Sequence, residues 1–426
     1  MTARWRRGVP WLAMAFVPWV VGRVVVVGML AVAHLLVSHT HPDAATVFRV
    51  HQGLLGWDAG WYDTIARVGY GGAGHQSLRF WPLFPLLGRA VGLLPGVGPG
   101  VGVVVVANVS ALAGIALVAR LADLETGATA TARRAAWLMA VVPPAFVYVM
   151  GYAEGTLLVC TAGALLALRQ RRWWWAAALG VLAGLTRPLG IVLVAPALVE
   201  AGRPWWEPLW VRWRRPIRAP GRGPGGETAP GGGGAGMAGR AGAQPTGTPA
   251  VEELRAAAPR VGLPDLVGRV ACVGAPVAGF GAFLVWCAVR YHDGLAPIRI
   301  QQRSSLHGHL ADPIVTVWHD ASGLLHGHHL GEGLHVPWVL LAVILLVVAF
   351  RRLPASYGMF VAGILVAALS GPNLDSFERY ALSAFPLVVV GGSLTASARV
   401  ERVVLVVAVA GLAAYALLAF TNILVP

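Results

Sequence analysis

The strongest constraint on this chain is a succession of long apolar runs. Residues 24–37, 101–118 and 403–420 are each long enough, or nearly so, to cross a hydrocarbon core of about 30 Å as a helix. Hydrophobic residues make up 57% of the 426 residues and charged residues only 12%, roughly half the charged share of a soluble protein. The sequence therefore predicts an all-α polytopic membrane protein and excludes a soluble enzyme or a nucleic-acid-binding domain.

The net charge of +14 indicates membrane topology rather than a polyanionic partner. All 33 basic residues are arginine, and most of them lie in short clusters at the ends of apolar segments. Cytoplasmic loops of membrane proteins are enriched in basic residues. We therefore expect a multi-pass protein of the cell membrane with a cytoplasmic N-terminus, contacts with membrane lipids and no nucleic acid partner.

Placing the arginine clusters in the cytoplasm divides the chain into three parts. Residues 1–200 form an N-terminal transmembrane half with a polar outer loop at 37–79, and residues 266–426 form a C-terminal half with a second outer loop at 290–334. Between them, residues 201–265 form a cytoplasmic linker whose Gly/Pro/Ala-rich insert cannot bury enough apolar surface to order itself. This organisation predicts about nine to eleven transmembrane segments and two long extracytoplasmic loops.

One apolar segment, residues 173–199, is interrupted by Thr186-Arg187-Pro188. Proline breaks the helical hydrogen-bond ladder and disfavours helix at the residue before it. The interruption predicts two half-helices that enter and leave on the cytoplasmic side. On this topology, Arg187 is a structural residue or a lipid-headgroup contact that lies far from the outer face.

The sizeable polar groups lie on the outer face, and the first of them is Gly56-Trp57-Asp58-Ala59-Gly60-Trp61-Tyr62-Asp63. A carboxylate flanked by aromatic residues has two interpretations near a membrane surface. The aromatic rings are interfacial anchors beside a solvated acid, or they hold a sugar or lipid while the carboxylate acts as a general base. The spacing alone leaves both interpretations open.

Several motifs, in order along most of the chain, resemble those of a known family. They are Trp57-Asp58-x-x-Trp61-Tyr62, Phe80-x-Pro82-Leu83-Phe84-Pro85-Leu86, Pro143-Pro144-Ala145-Phe146 with Tyr152-x-Glu154, Leu185-Thr186-Arg187-Pro188-Leu189-Gly190, and Glu378-Arg379-Tyr380 with Phe385-Pro386-Leu387. Together they resemble the bacterial branch of the PIG-V-type mannosyltransferase family. The resemblance implies a GT-C-like multi-helix bundle, a catalytic acid in the first outer loop and a polyprenyl-phosphate-linked sugar as donor.

The resemblance also implies roles for residues near the N-terminal motif. Asp58 matches the catalytic position, and Glu154 matches an acid at the outer start of a helix. Trp57, Trp61 and Tyr62 are expected to position the sugar, and Asp63 is a further candidate for sugar or acceptor binding.

Candidate phosphate ligands lie in the C-terminal half. Arg379 stands at an outer helix start, where it is either an interface arginine that reaches to lipid headgroups or the group that grips the donor phosphate, a role that the resemblance favours. Gln302 and Arg303, in the second outer loop, are weaker candidates for acceptor or phosphate contact.

The resemblance implies that no metal is needed, and we expect no cofactor, since the lipid-linked sugar donor is itself a substrate. The second outer loop is rich in histidine, which leaves a metal site and a solvated polar loop as alternatives; these residues are His307, His309, His319, His326, His328 and His329. Their spacing sets up no recognisable coordination geometry, and the solvated loop is the preferred interpretation.

The predicted function is transfer of a hexose, expected to be mannose, from a polyprenyl-phosphate donor to an extracytoplasmic acceptor by inverting displacement. The acceptor is a glycolipid, a glycan or a protein. Alternatives are a transporter or flippase for lipid-linked sugars and a non-catalytic assembly protein. Transporters place polar groups near the bilayer midplane and often contain inverted repeats, whereas this sequence has no convincing internal repeat and concentrates polar residues in its outer loops.

Overall fold

The computed structural model describes residues 11–213, 262–303, 308, 310–325, 335–372, 374 and 376–424. The Gly/Pro/Ala-rich insert of the predicted linker and five histidines of the second outer loop lie outside the described residues; these histidines are His307, His309, His326, His328 and His329. Every regular element within the described ranges is a helix, which confirms the predicted all-α class.

Seventeen α-helices and four short 3-10 helices make up the described part of the chain. The α-helices are α1 (Trp11–His39), α2 (Ala44–Gln52), α3 (Asp58–Ala73), α4 (Leu83–Gly92), α5 (Pro99–Thr126), α6 (Thr129–Val141), α7 (Glu154–Arg169), α8 (Trp173–Thr186), α9 (Val194–Trp213), α10 (Leu263–Tyr291), α11 (Ala296–Gln301), α12 (Pro313–Leu325), α13 (Val336–Arg352), α14 (Ala355–Leu369), α15 (Phe377–Ser383), α16 (Pro386–Leu394) and α17 (Ala398–Phe420). The 3-10 helices are Gly53–Leu55, His75–Arg79, Pro143–Tyr148 and Pro188–Leu193.

Four of the described helices, α1, α5, α10 and α17, are long and apolar enough to cross a membrane. Each has between 23 and 29 residues, and a helix of about 20 apolar residues suffices to span the hydrocarbon core. These helices make the chain an all-α membrane protein. The expected total of nine to eleven spans stays a prediction, since shorter apolar helices such as α8 and α14 would have to contribute to it.

Small residues bring the helices close together around α7 and α10. A Cβ atom at Gly155 of α7 would lie 2.6 Å from the carbonyl oxygen of Ala107 in α5, and one at Gly279 of α10 would collide with the carbonyl group of Val181 in α8. Membrane helices gain their association energy from such close backbone packing, because lipid and protein side chains are similarly apolar. The packing fixes α7 firmly between its neighbours.

The broken segment forms two half-helices, α8 and α9, as the sequence predicts. Both half-helices have a part near the Arg169 end of α7. Helix α8 starts there, four residues after Arg169, and Glu200 of α9 forms an ion pair with Arg169. The break itself reaches the opposite end of α7, where Arg187 forms an ion pair with Glu154. The expectation that Arg187 lies far from the candidate site is therefore wrong, because the half-helices extend along the whole length of α7.

Residues 37–79, predicted as the first outer loop, are predominantly helical rather than an irregular loop. Helix α1 continues to His39, and α2, α3 and two 3-10 helices follow. In the second predicted loop, the described parts form α11 and α12. Apolar contacts explain why both predicted loops form helices: Leu78 of the 3-10 helix His75–Arg79 and Ile300 of α11 are buried in the same hydrophobic cluster.

Candidate active site

The position of Asp58 is fixed by the chain on either side of it. Trp57, immediately before α3, has φ of 60°, a conformation that non-glycine residues rarely adopt. Its indole Nε1 donates to the carbonyl oxygen of Ala419 at 3.0 Å, and the Arg49 guanidinium lies 3.8 Å from its ring centroid. The backbone N–H of Asp58 donates to the Tyr152 hydroxyl at 3.4 Å. Trp57 thus anchors the start of α3 to the last helix.

Five charged side chains meet at this point, and we call them the outer cluster: Asp58, Arg79, Glu154, Arg187 and Arg379. Arg379 Nη1 donates to Asp58 Oδ2 at 2.8 Å, and its Nε lies 3.6 Å from Glu154 Oε1. Arg79 Nη2 lies 3.8 Å from Asp58 Oδ1. Arg187 Nη1 pairs with Glu154 Oε1. Each residue comes from a different element. The cluster therefore joins α3, the 3-10 helix His75–Arg79, α7, the α8–α9 break and α15.

The outer cluster holds more positive than negative charge in a largely dry environment. Its three guanidinium groups face two carboxylates, while the Glu154 and Arg379 side chains are only 1% and 6% exposed. Three of its buried polar atoms lack a hydrogen-bond partner within the described structure: Arg79 Nε, Arg379 Nε and Glu154 Oε2. An uncompensated buried charge is costly, and this cost favours binding of an anionic group.

Asp58 is the accessible acid of the cluster, with 28% of its side chain exposed. Burial raises its pKa, but the Arg379 and Arg79 guanidinium groups, the hydrogen bond from Arg379 and the more distant Arg187 together hold the pKa below its usual value. The carboxylate is therefore ionised at neutral pH. An ionised and accessible carboxylate has the protonation state that a general base requires.

The aromatic residues of the first motif differ in their exposure. Tyr62 is 4% exposed, because Phe80 and Phe84 meet its ring edge-on at 5.0 and 4.8 Å. The Tyr62 ring is therefore covered on the sides that face these two residues, and its contact with a sugar stays a prediction. Trp61 is partly exposed, stacks on Phe80 at 5.9 Å and lies 5.7 Å from the Arg79 guanidinium, which leaves it as the aromatic surface beside the outer cluster.

The other predicted residues lie outside the outer cluster. Asp63 forms an ion pair with Arg67 at 2.8 Å, one turn along α3. Gln302 and Arg303 are exposed just beyond α11, which packs on the 3-10 helix that ends at Arg79. The structure thus brings together Asp58, Glu154 and Arg379 but not Asp63, Gln302 or Arg303.

Arg379 also lines a shallow cleft with about 10 Å³ of space for water. The remaining lining residues are Pro144, Phe146, Ser376, Glu378, Tyr415 and Leu424. Glu378 is held in place by His335 at 2.7 Å and lies 3.5 Å from the Tyr415 hydroxyl. A cation beside a partly apolar cleft suits a phosphate group that is attached to a hydrocarbon chain.

Arg79 and Arg187 belong to the site, although neither was predicted as a functional residue. Arg187 carried a usable signal, because a charged residue inside an apolar segment is costly unless it faces protein or water. Arg79 immediately precedes the Phe80 motif, but nothing in its spacing distinguishes it from other arginines near apolar segments. Only the folded chain places it beside Asp58.

No group of three or more His, Cys, Asp or Glu side chains that could hold a metal ion occurs among the described residues. The chain matches no protein-family model, and no curated protein matches it. The resemblance to the PIG-V-type family consequently rests on the motifs themselves.

Proposed function

We propose that the chain is a membrane glycosyltransferase of the GT-C type that transfers a hexose, expected to be mannose, from a polyprenyl-phosphate donor. The observation that carries this proposal is the contact between the accessible, ionised Asp58 and the buried Arg379 inside a cluster with excess positive charge. A base and a phosphate ligand side by side are what glycosyl transfer from a lipid phosphate needs.

The proposed reaction is a single displacement with inversion at the anomeric carbon. The acceptor hydroxyl oxygen forms a bond to that carbon while the carbon–oxygen bond to the donor phosphate breaks. Asp58 takes the hydroxyl proton, and the bonding electron pair leaves on the phosphate oxygen. Arg379, with Arg79 and Arg187, stabilises this developing charge.

The charges of the outer cluster match those of the reacting groups. The donor is a phosphodiester with one negative charge, and the five residues of the cluster carry a net charge of +1 before reaction. Transfer converts the donor to a phosphate monoester with a charge approaching −2. At the same time protonation of Asp58 brings the cluster to +2. This balance favours a phosphate-linked donor over a neutral sugar.

The remaining parts of the proposal concern placement. Trp61 offers its ring to the sugar, and the cleft beside Arg379 receives the start of the polyprenyl chain. The outer cluster lies on the extracytoplasmic side of the cell membrane, within a bundle of nine to eleven spans. The acceptor is a glycolipid, a glycan or a protein on that side.

The test uses the purified full chain with radiolabelled polyprenyl-phosphate-mannose and membranes, free of the enzyme, that contain the native lipid, glycan and protein acceptors. We expect label in a new glycolipid, glycan or protein with the wild type, and at least about a hundredfold less label with Asp58→Asn or Arg379→Gln. Full transfer by both variants would overturn the assignment. A wild type that is inactive with several polyprenyl-phosphate sugars would overturn the glycosyltransferase proposal itself.

A transporter of lipid-linked sugars is the second candidate, favoured by one observation. The broken α8–α9 segment brings a charged residue into the cluster, and discontinuous helices form the substrate sites of many transporters. Proteoliposomes separate the two candidates. A transporter moves labelled donor across the bilayer chemically unchanged, whereas a transferase converts it to polyprenyl phosphate and a glycosylated acceptor.

A further inference from the structure

The Arg169 end of α7 carries a second charged site, far from the outer cluster. Fifteen residues of helix separate Arg169 from Glu154, which corresponds to about 22 Å of helix rise. A shallow cleft, with about 10 Å³ of space for water, lies at this end. Its lining residues come from α7, α8, α9, α10 and the α7–α8 turn, and they are Arg169, Arg171, Trp173, Glu200, Arg203, Pro204 and Arg269.

Two of the four arginines form a rigid floor. Arg169 Nε donates to Glu125 at 2.8 Å, and its Nη1 donates to Glu200 at 3.1 Å. Arg269 Nε donates to Asp265 at 2.6 Å, while its guanidinium lies 4.6 Å from the Trp173 ring centroid. These contacts hold both guanidinium groups in fixed positions beneath the cleft.

The other two arginines form the rim of the cleft. Arg171 is exposed, and its φ of 56° lies in the region that favours glycine. This left-handed residue ends α7, because the backbone N–H of Arg172 donates to the Ala167 carbonyl oxygen at 2.8 Å and that of Arg171 to the Leu168 carbonyl oxygen at 3.0 Å. Arg203 leaves a third of its side chain exposed and lies 3.5 Å from Glu200. The rim is therefore accessible from outside.

Exposed tryptophans flank this cleft. Trp174 and Trp175 of α8 are 63% and 65% exposed, and Trp205 of α9 is 50% exposed. Tryptophan side chains concentrate at the boundary between hydrocarbon and lipid headgroups. Exposed tryptophan rings beside an arginine rim are typical of a surface at headgroup depth.

We propose that this cleft binds the phosphate headgroup of an anionic membrane lipid. Guanidinium groups bind phosphate through paired N–H donors and stay charged in a partly dry site. Basic pockets between membrane helices recognise anionic headgroups by this chemistry. Free inorganic phosphate offers the same oxygens, but the surrounding tryptophans favour a phosphate that is held in the membrane. The site is separate from the proposed transfer reaction and does not depend on it.

The experiment measures lipid binding to the purified full chain in neutral detergent by native mass spectrometry. Phosphatidylglycerol is compared with phosphatidylcholine of the same acyl chains, and inorganic phosphate is the lipid-free probe. The test variant is Arg171→Gln/Arg203→Gln. The matched control, Arg351→Gln/Arg399→Gln, removes two exposed arginines at other helix ends.

We expect preferential phosphatidylglycerol binding that falls at least tenfold in the test variant and stays unchanged in the control. Equal binding of the two lipids, or an equal loss in test and control variants, would overturn the proposal. Binding of inorganic phosphate without any binding of phosphatidylglycerol would also overturn the proposal. The single variant Arg171→Gln, with its unfolding temperature checked, repeats the test if the double variant does not fold.

Discussion

The two ends of α7 use the same residue types in opposite ways. At the C-terminal end of α7, Arg169 contacts two carboxylates, those of Glu125 and Glu200. These acids also accept hydrogen bonds from Tyr357 at 3.0 Å and Ser356 at 2.6 Å. The network joins α5, α7, α9 and α14, and its acids are saturated with donors.

The outer cluster is unsaturated by comparison. It has three arginines for two acids, and polar atoms of Arg79, Glu154 and Arg379 are buried without hydrogen-bond partners. A saturated network lowers the free energy of the fold, whereas an unsaturated one retains its interaction energy for a ligand. The number of unpaired polar atoms, not the residue type, separates the carboxylate network at the Arg169 end of α7 from the proposed catalytic site at its Glu154 end.

The largest expected effect is loss of transfer in Asp58→Asn. The amide cannot take the acceptor proton, so we expect transfer to fall by about 10²–10⁴-fold. Initial rates at saturating donor measure the loss. Asp43→Asn is the matched control, because Asp43 caps α2 through Thr46 and asparagine caps a helix equally well. Similar losses in both variants would remove Asp58 from its proposed role.

A substitution at the Arg169 end of α7 should lower the stability of the fold and leave the rate of transfer unchanged. Glu200→Gln removes a buried carboxylate charge and leaves the partly buried Arg169 without one of its charged partners. We expect a loss of about 3 kcal/mol in the free energy of unfolding. Thermal unfolding in detergent measures the loss, and transfer per folded molecule should stay at the wild-type level.

Arg67→Gln serves as the control for Glu200→Gln, since it removes an ion pair whose arginine is half exposed. Its expected cost is under about 1 kcal/mol. An inactive but fully stable Glu200→Gln variant would contradict the distinction between the two ends of α7.

A smaller effect is expected from Arg79→Gln. The variant loses one charged contact with the phosphate, so we expect donor use to fall about 10–100-fold. The loss should appear in kcat/KM for the donor, measured at concentrations of donor well below KM. Arg67→Gln again supplies a matched control from the same outer segment. Unchanged kcat/KM in Arg79→Gln would place Arg79 outside the site.

The smallest effect concerns pH. The pKa of Asp58 is held below its usual value, so Asp58 loses its proton-accepting form only when the pH falls below about 4. Arg79→Gln removes one cation that lowers this pKa, and the acid limb of the kcat/KM profile should move to higher pH by less than about one unit. A shift to lower pH would contradict the proposed contact. Profiles of the wild type and the variant in the same buffers measure this shift.

Local patterns predicted some parts of the site better than others. Asp58, Glu154 and Arg379 were identified from motifs, and the structure brings them together. Tyr62 was assigned to sugar binding from its neighbours in sequence, but the aromatic rings of Phe80 and Phe84 cover it. A motif records which residues are near each other in sequence and carries no information about which side chain is covered.

Contacts between distant segments decided the rest. Asp58 and Arg379 are separated by 321 positions, and the Arg187–Glu154 pair depends on how far α8 extends along α7. Residues Asp63 and Arg303 have suitable chemistry, yet the packing of α3 and α11 keeps them outside the cluster. Such outcomes follow from the relative positions of helices, which no local pattern specifies.

By itself, the sequence determined that this is an all-α membrane protein with a broken helix at Pro188, because apolar run length and proline act locally on the backbone. Only the tertiary structure decided which arginines form ion pairs in a fully hydrogen-bonded network and which keep unpaired N–H groups that can bind a ligand. The reason is physical. Whether a charged side chain finds a hydrogen-bond partner depends on the side chains packed around it, and in this protein those side chains come from segments far apart in the sequence.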